Sequence, residues 1–172
     1  MTALQVLELR HTSVRTPLGE LTIVASGGGV LAADLAEDRS AFLAWAEERY
    51  ETRAVRDPGG LAGARDEVRE YFDGSLRRFR TPVDLTRVRT GFFRSVYEAA
   101  IAVHYGELRT YGDLAGEAGR PRAARAAGHA MRVCPVELWI PCHRIVPAGP
   151  GFGTYGAHPE RREFLLRLEG AI

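Results

Sequence analysis

Pro141-Cys142-His143-Arg144 is the stretch of this chain best suited to chemistry. A thiol does nucleophilic work as its thiolate, and a neighbouring imidazole is the usual means of making one. Proline at 141 disfavours helical geometry at Ile140, so Cys142 is expected on extended or turned chain. In a regular strand residues 142 and 143 point to opposite faces, so the pair can cooperate only through a sharp turn or a bridging water. The competing reading of a lone cysteine is a small buried hydrophobe. One distant acid fits the pair. Glu169, followed by Gly170, ends an expected amphipathic helix over about 159–169, where a carboxylate opposes the helix dipole. That is a poor place for a merely structural glutamate, and it could orient a histidine in a Cys–His–Glu constellation.

Other chemistries are set aside by spacing. Gly149, Gly151 and Gly153 do not have the spacing of a dinucleotide or phosphate loop, and neither Cys-x-x-Cys nor His-Glu-x-x-His occurs. Cys134 and Cys142 with His129 and His143 match no common zinc pattern, so no metal is expected.

The elements that position these residues follow from periodicity. Residues near 4–14 and 20–34 read as strands, with Pro17-Leu18-Gly19 and Gly27-Gly28-Gly29 as turns. Ser40 is the expected cap of a helix through Tyr50; a second helix near 62–74 follows, then a short extended return from Phe79 to Leu85. This is an α+β unit with a small antiparallel sheet and no catalytic cluster. Arg87 to Thr90 reads as a linker. Phe92, Phe93, Val96, Ala99, Ala100 and Val103 then repeat with helical period, so residues 90–104 form a helix with a buried face. Thr110, three residues before Asp113, starts a short helix to about Ala118 in a capping-box pattern. Gly119-Arg120-Pro121 turns the chain, and Pro121 suits the first position of a helix to about Arg132. Two short helices joined this way are a helix-turn-helix signature. The second is slim, with Ala123, Ala124, Ala126, Ala127, Gly128 and Ala130 between Arg122, Arg125 and Arg132. It either approaches another surface closely or packs as a buried alanine helix. Leu138-Trp139-Ile140 reads as a short buried strand.

Length and charge bound the rest. A chain of 172 residues makes one or two small domains and needs no disulfide staple, and two cysteines imply a reducing, cytoplasmic compartment. Neither a secretion signal nor a membrane span is read in the sequence. The net charge of +1 hides an uneven split: residues 1–86 hold 11 arginines against 14 acids, and residues 87–172 hold 12 against 8. The total gives no warrant for nucleic acid, but if the chain meets a polyanion, it does so through the second half. All 23 basic residues are arginine; a GC-rich genome produces that bias without functional meaning.

The sequence resembles the O6-alkylguanine-DNA alkyltransferases, direct-reversal DNA repair proteins, over essentially its whole length. The resemblance rests on Ile140-Pro141-Cys142-His143-Arg144-Ile145-Val146, on Tyr105 to Ala115, on Ala123-Ala124-Arg125-Ala126-Ala127-Gly128, on Gly153-Thr154-Tyr155-Gly156 and on Leu165 to Gly170. It implies a ribonuclease-H-like α+β domain over 1–86 and a winged-helix-like domain over 87–172 that holds the site. It implies Cys142 as nucleophile and permanent alkyl acceptor, His143 as a base acting through water and Glu169 as its support. It implies that Tyr111 rotates the nucleotide outward and donates to the departing guanine, and that Arg125 enters the stack in its place. Tyr155, the backbone at Ile145, Arg144 and the amide of Gly156 line the guanine pocket. Arg132 and the small residues Ala123, Ala124, Ala126 and Gly128 lie along the minor groove of double-stranded DNA. The implied protein is a monomer with no cofactor.

The chain departs from the family pattern at the hinge, where Cys134-Pro135 replaces an Asn-Pro pair and places a second thiol near the reactive one. Phe93, Tyr97 and His104 replace the usual Gln, Trp and Pro, and read as packing changes. Two rivals remain: a protein that flips and flags the lesion without accepting the alkyl group, against which Cys142 argues, and a thiol hydrolase, which has no need of Arg125.

Overall fold

Alternating apolar residues and two glycine turns build a hairpin ladder of β1 (Leu9–Thr16), β2 (Gly19–Ser26) and β3 (Gly29–Asp34). A computed structural model describes residues 7–172, so the start of the strand expected near residue 4 lies outside the described residues. Gly29 has φ +135°, and a Cβ there would collide with the Pro82 carbonyl, which itself accepts from Val30 N at 2.9 Å. Only glycine fits that close approach. The fourth strand, β4 (Ala54–Arg56), joins β1 in parallel, giving the order β3-β2-β1-β4. The sheet is thus mixed rather than antiparallel, because α1 (Arg39–Tyr50) carries the chain back across it.

Asp38, not Ser40, caps α1; its carboxylate accepts from Ala41 N at 3.0 Å. Helix α2 (Ala62–Phe72) buries Val68 and Tyr71. The expected return from Phe79 to Leu85 forms no strand and touches β3 through one bridge, Val30 to Val83.

Thr90 caps α3 (Gly91–Ile101), accepting from Phe93 N at 3.2 Å. Helix α4 (Tyr111–Glu117) opens with the expected capping box, Thr110 and Asp113 each holding the other's backbone. Helix α5 (Ala124–Arg132) starts later than Pro121 implied, since residues 121–123 make a turn with Ala123 as cap. Ala127 and Ala130 are fully buried, so the slim face of α5 packs inward while Arg122 and Arg125 stay exposed. The two-stranded parallel pair β5 (Arg109–Thr110) and β6 (Ile145–Val146) and helix α6 (Pro159–Leu168) complete the second half.

One apolar core crosses between the halves, uniting Leu21, Ile23 and Tyr71 with Val96, Ile140 and Leu165. The chain leading to Cys142 docks on β3: Ala33 N donates to Pro135 O at 2.9 Å and Glu137 N to Ala33 O at 2.8 Å. No helix among the described residues is long and apolar enough to cross a membrane.

Candidate active site

Residues 138–140 do not form the expected strand. Leu138 has φ +71°, and Ile140 N donates back to Val136 O at 3.1 Å, closing a tight loop instead. Positive φ on a bulky residue is a strained conformation, held here by the burial of Leu138, Trp139 and Ile140. The loop delivers Cys142 into a one-turn 3-10 helix, Cys142–Arg144, the sharp turn that the Cys-His pairing demanded.

Behind this turn lies a buried polar network around Glu169, the C-cap of α6. His143, with 0% exposure, places Nε2 2.8 Å from Glu169 Oε1. Arg144 donates to both carboxylate oxygens at 2.8 Å and to Val103 O at 2.7 Å. Tyr71 Oη donates to Oε1 at 2.7 Å, and Gly106 N to Oε2 at 3.1 Å. Burial alone pushes the Glu169 pKa up, but the hydrogen bonds from His143 and Arg144 and the Arg144 charge outweigh it and hold the carboxyl well below its usual range. Burial pushes the His143 pKa down more than Glu169 raises it, so the imidazole is neutral. Its Nε2–H donates to Glu169, and the buried Nδ1 makes no hydrogen bond within the chain. Nδ1 is therefore the nitrogen free to receive a proton.

In front of the turn opens a cleft of about 1040 Å³. Cys142, Tyr111, Gly128, Arg132, Cys134, Tyr155 and Gly156 line it, together with Asp34, Phe42 and Trp45 of the first half. The Cys142 thiol is pushed well above its ordinary pKa, first by the neighbouring Cys134 side chain and then by burial; both cysteines are free. At rest Cys142 is a thiol and needs a base. Tyr111 opens α4 and packs its ring against Gly128 of α5, where a Cβ would meet the ring at 3.7 Å.

Two expected pocket residues lie elsewhere. Arg144 faces the Glu169 network, because a carboxylate is the stronger partner for a buried guanidinium than an open cleft. Ile145 is fully buried and does not reach the cleft surface; its carbonyl accepts from Arg162 Nη2 at 3.0 Å. Arg125, Ala126 and Arg132 lie exposed on α5, with Ala123, Ala124 and Gly128 half-buried; Arg132 also bonds His129 at 2.9 Å. Among the described residues no three His, Cys, Asp or Glu side chains are grouped to hold a metal ion.

Three residues escaped the sequence reading. Tyr71, on the buried face of α2, joins the His143–Glu169 pair and brings the first half into the site; nothing in its local sequence signals this. Arg162 donates to the carbonyls of Phe152, Ile145 and Cys142 and lies 4.8 Å over the Tyr155 ring. Its signal is an arginine on the stripe of Leu165, Leu166 and Glu169. Glu137 lines the cleft and is an acid inside an apolar run, a pattern that costs energy unless partners are waiting.

A thiol backed by a histidine–glutamate pair and overlooked by an arginine-bearing helix-turn-helix defines a thiol-acceptor protein. Two family models divide the chain: the 6-O-methylguanine DNA methyltransferase ribonuclease-like domain over residues 9–85, and the DNA binding domain of the same family over residues 91–171. The methylated-DNA–protein-cysteine methyltransferase of Mycobacterium tuberculosis is 35% identical over 164 residues, covering 94% of this chain and 92% of that protein. The Salmonella typhimurium protein of the same name is 34% identical over 176 residues, covering 97% and 99%. The crystal structure of Mycobacterium tuberculosis OGT in complex with DNA superposes with a TM-score of 0.78 at 33% identity, covering 94% of this chain and 92% of that one. This chain belongs to the 6-O-methylguanine DNA methyltransferase family.

Proposed function

We propose that the protein repairs DNA by direct reversal, taking the alkyl group of O6-alkylguanine onto Cys142. The placement of Cys142 carries this reading: the thiol faces a cleft large enough for a base, with a neutral histidine anchored directly behind it. A base inside a duplex cannot reach that thiol, so it is extruded at a cost of about a few kcal/mol. The slim helix α5 lies along the minor groove, and Arg125 enters the stack where the base has left. Residues 87–172 make the DNA-facing unit, and residues 1–86 brace it through β3 and Tyr71.

The chemistry then needs only this chain's residues. His143 Nδ1 takes the thiol proton through a bridging water, while the Glu169 carboxylate stabilises the imidazolium. The thiolate displaces guanine at the alkyl carbon: the C–S bond forms, the C–O6 bond breaks, and its electron pair stays with the base. Tyr111 donates a proton to the departing guanine and recovers one from the imidazolium side through solvent. The Arg162 charge is the nearby influence that favours the thiolate. A thioether is not hydrolysed, so each molecule acts once. The step requires a free thiol, in keeping with a reducing cytoplasm.

Intact mass after mixing with a duplex bearing O6-methylguanine tests the reading. A one-methyl increment that disappears in Cys142→Ala supports transfer. Binding without a mass change overturns it in favour of a lesion-binding protein.

A further inference from the structure

The chain holds two cysteines, and both line the one cleft. If extended, the chain from residue 134 to residue 142 would span roughly 26 Å. Instead it folds back on itself. The Val136 carbonyl accepts from Ile140 N at 3.1 Å and from Cys134 Sγ at 3.8 Å, and Cys142 N donates to Ile140 O at 2.7 Å. Strand β3 pins the start of this loop through Pro135 and Glu137, and the left-handed Leu138 turns it. The two thiols therefore meet in the same space: Tyr97 of α3 and Tyr155 each lie close enough to feel both as charges, and the Cys134 side chain acts on the Cys142 thiol more strongly than burial does. Cys142 is 7% exposed, whereas Cys134 is half-buried and open to the solvent side. Alkyl transfer gives Cys134 no part to play.

We propose that Cys134 is the resolving thiol of a reversible oxidation site, forming a disulfide with Cys142 when a hydroperoxide enters the cleft. His143, which takes the Cys142 proton through water for alkyl transfer, readies the same sulfur for this oxidant. With hydrogen peroxide, the Cys142 thiolate attacks one oxygen: the S–O bond forms, the O–O bond breaks, and the leaving hydroxide takes the proton from His143. The products are a sulfenic acid and one water. The Cys134 sulfur then attacks the Cys142 sulfur: the S–S bond forms, the S–O bond breaks, and the departing hydroxide leaves with the Cys134 proton as a second water. The two thiols give up two electrons and two protons, and the peroxide takes up both.

The neighbour decides what oxidation costs the molecule. A thiol without one goes on from sulfenic to sulfinic acid, which thiol reductants do not reverse. A protein that acts once then loses an acceptor it never used. A disulfide closes the site only for a time, because thiol exchange returns both cysteines. In a reducing compartment such a bond is transient, as redox-sensing disulfides are. The loss and return of repair rest on Cys142 as the alkyl acceptor; the disulfide itself does not.

Brief treatment of the purified full-length protein with hydrogen peroxide, followed by intact mass, maleimide labelling and methyl transfer from duplex O6-methylguanine, provides the test. The wild type is expected to lose the mass of two hydrogen atoms, both maleimide sites and its transfer activity, and to regain all three in dithiothreitol. Non-reducing peptide mapping is expected to join Cys134 to Cys142. Cys134→Ser, which keeps the size and removes the partner, is expected to gain oxygen atoms and to stay inactive in dithiothreitol. A wild type that gains oxygen as the variant does, or a disulfide between two copies of the chain, overturns the proposal. Absence of transfer before any peroxide is added overturns the alkyl-acceptor reading instead, while mass and labelling still decide the disulfide.

Discussion

Glu169 Oε1 lies 2.8 Å from His143 Nε2, and both side chains are wholly buried. A carboxylate at a helix C-terminus opposes the helix dipole. It is held there by donors converging from three other segments: Tyr71 of α2, Gly106 after α3, and His143 and Arg144 of the 3-10 turn. Removing it by Glu169→Ala leaves the Arg144 charge buried without its partner, which costs about 3–5 kcal/mol. Urea denaturation is the measurement. A loss under about 1 kcal/mol, the range of exposed pairs, would show that the network does not hold the fold together.

The same burial sets a pH dependence. The folded pKa of His143 is depressed, so between the ordinary imidazole value of 6.5 and its lower folded value the unfolded chain binds a proton that the native state refuses. Stability from this group is present above pH 6.5 and is lost as pH falls below it. Glu169, also depressed, adds a further loss as pH falls below the ordinary carboxylate value of 4.5. Glu137 has the opposite sign, because its raised pKa makes the native state the better proton binder between 4.5 and about 7. His143 is separable from both by NMR: its imidazole signals are expected to stay those of the neutral ring from pH 8 to pH 6. An inflection at or above pH 6.5 would contradict the assignment of Nδ1 as a free acceptor.

The grouping of Cys142, His143 and Glu169 is legible in the sequence because it is local to a motif and to a helix end. So are α3 and α4, whose apolar period and Thr110–Asp113 box agree. Arg144 is misplaced by sequence reasoning because adjacency to Cys142 says nothing of direction, and the 3-10 turn sends the two side chains to opposite sides of the motif. The strand expected at Leu138–Ile140 fails for a related reason: apolar composition reports burial, and all three residues are buried, but the backbone path is set by a left-handed Leu138. Tyr71 is invisible because its contribution arises only when the halves pack, 98 positions separating it from Glu169 in sequence.

Cys134 offers a direct handle on the nucleophile. Its side chain is the leading cause of the raised Cys142 pKa, ahead of burial. Cys134→Ala is therefore expected to move the midpoint of Cys142 alkylation by iodoacetamide to lower pH and to increase the rate at pH 8. An unchanged midpoint would show that the two thiols do not interact. Cys134→Asn, which restores the family's hinge residue, is expected to increase the transfer rate as well; equal rates in the two proteins would show that the hinge tolerates a thiol.

Arg125 distinguishes extrusion from simple binding. It projects from an exposed face of α5 whose opposite side, Ala127 and Ala130, is sealed in the core, so its loss leaves the fold intact. The expected defect is confined to duplex substrates. In a duplex the vacated stack must be filled, and a planar guanidinium does this better than an ammonium. In a single-stranded oligonucleotide the base is already accessible and there is little to fill. Arg125→Ala is expected to slow transfer from duplex O6-methylguanine by roughly 10- to 100-fold, the equivalent of a few kcal/mol of unstacking, and transfer from the single strand far less. Arg125→Lys should recover the salt-dependent part of binding without recovering the duplex rate. Equal losses on both substrates would instead make Arg125 a phosphate contact, and the extruded base would need another side chain to take its place.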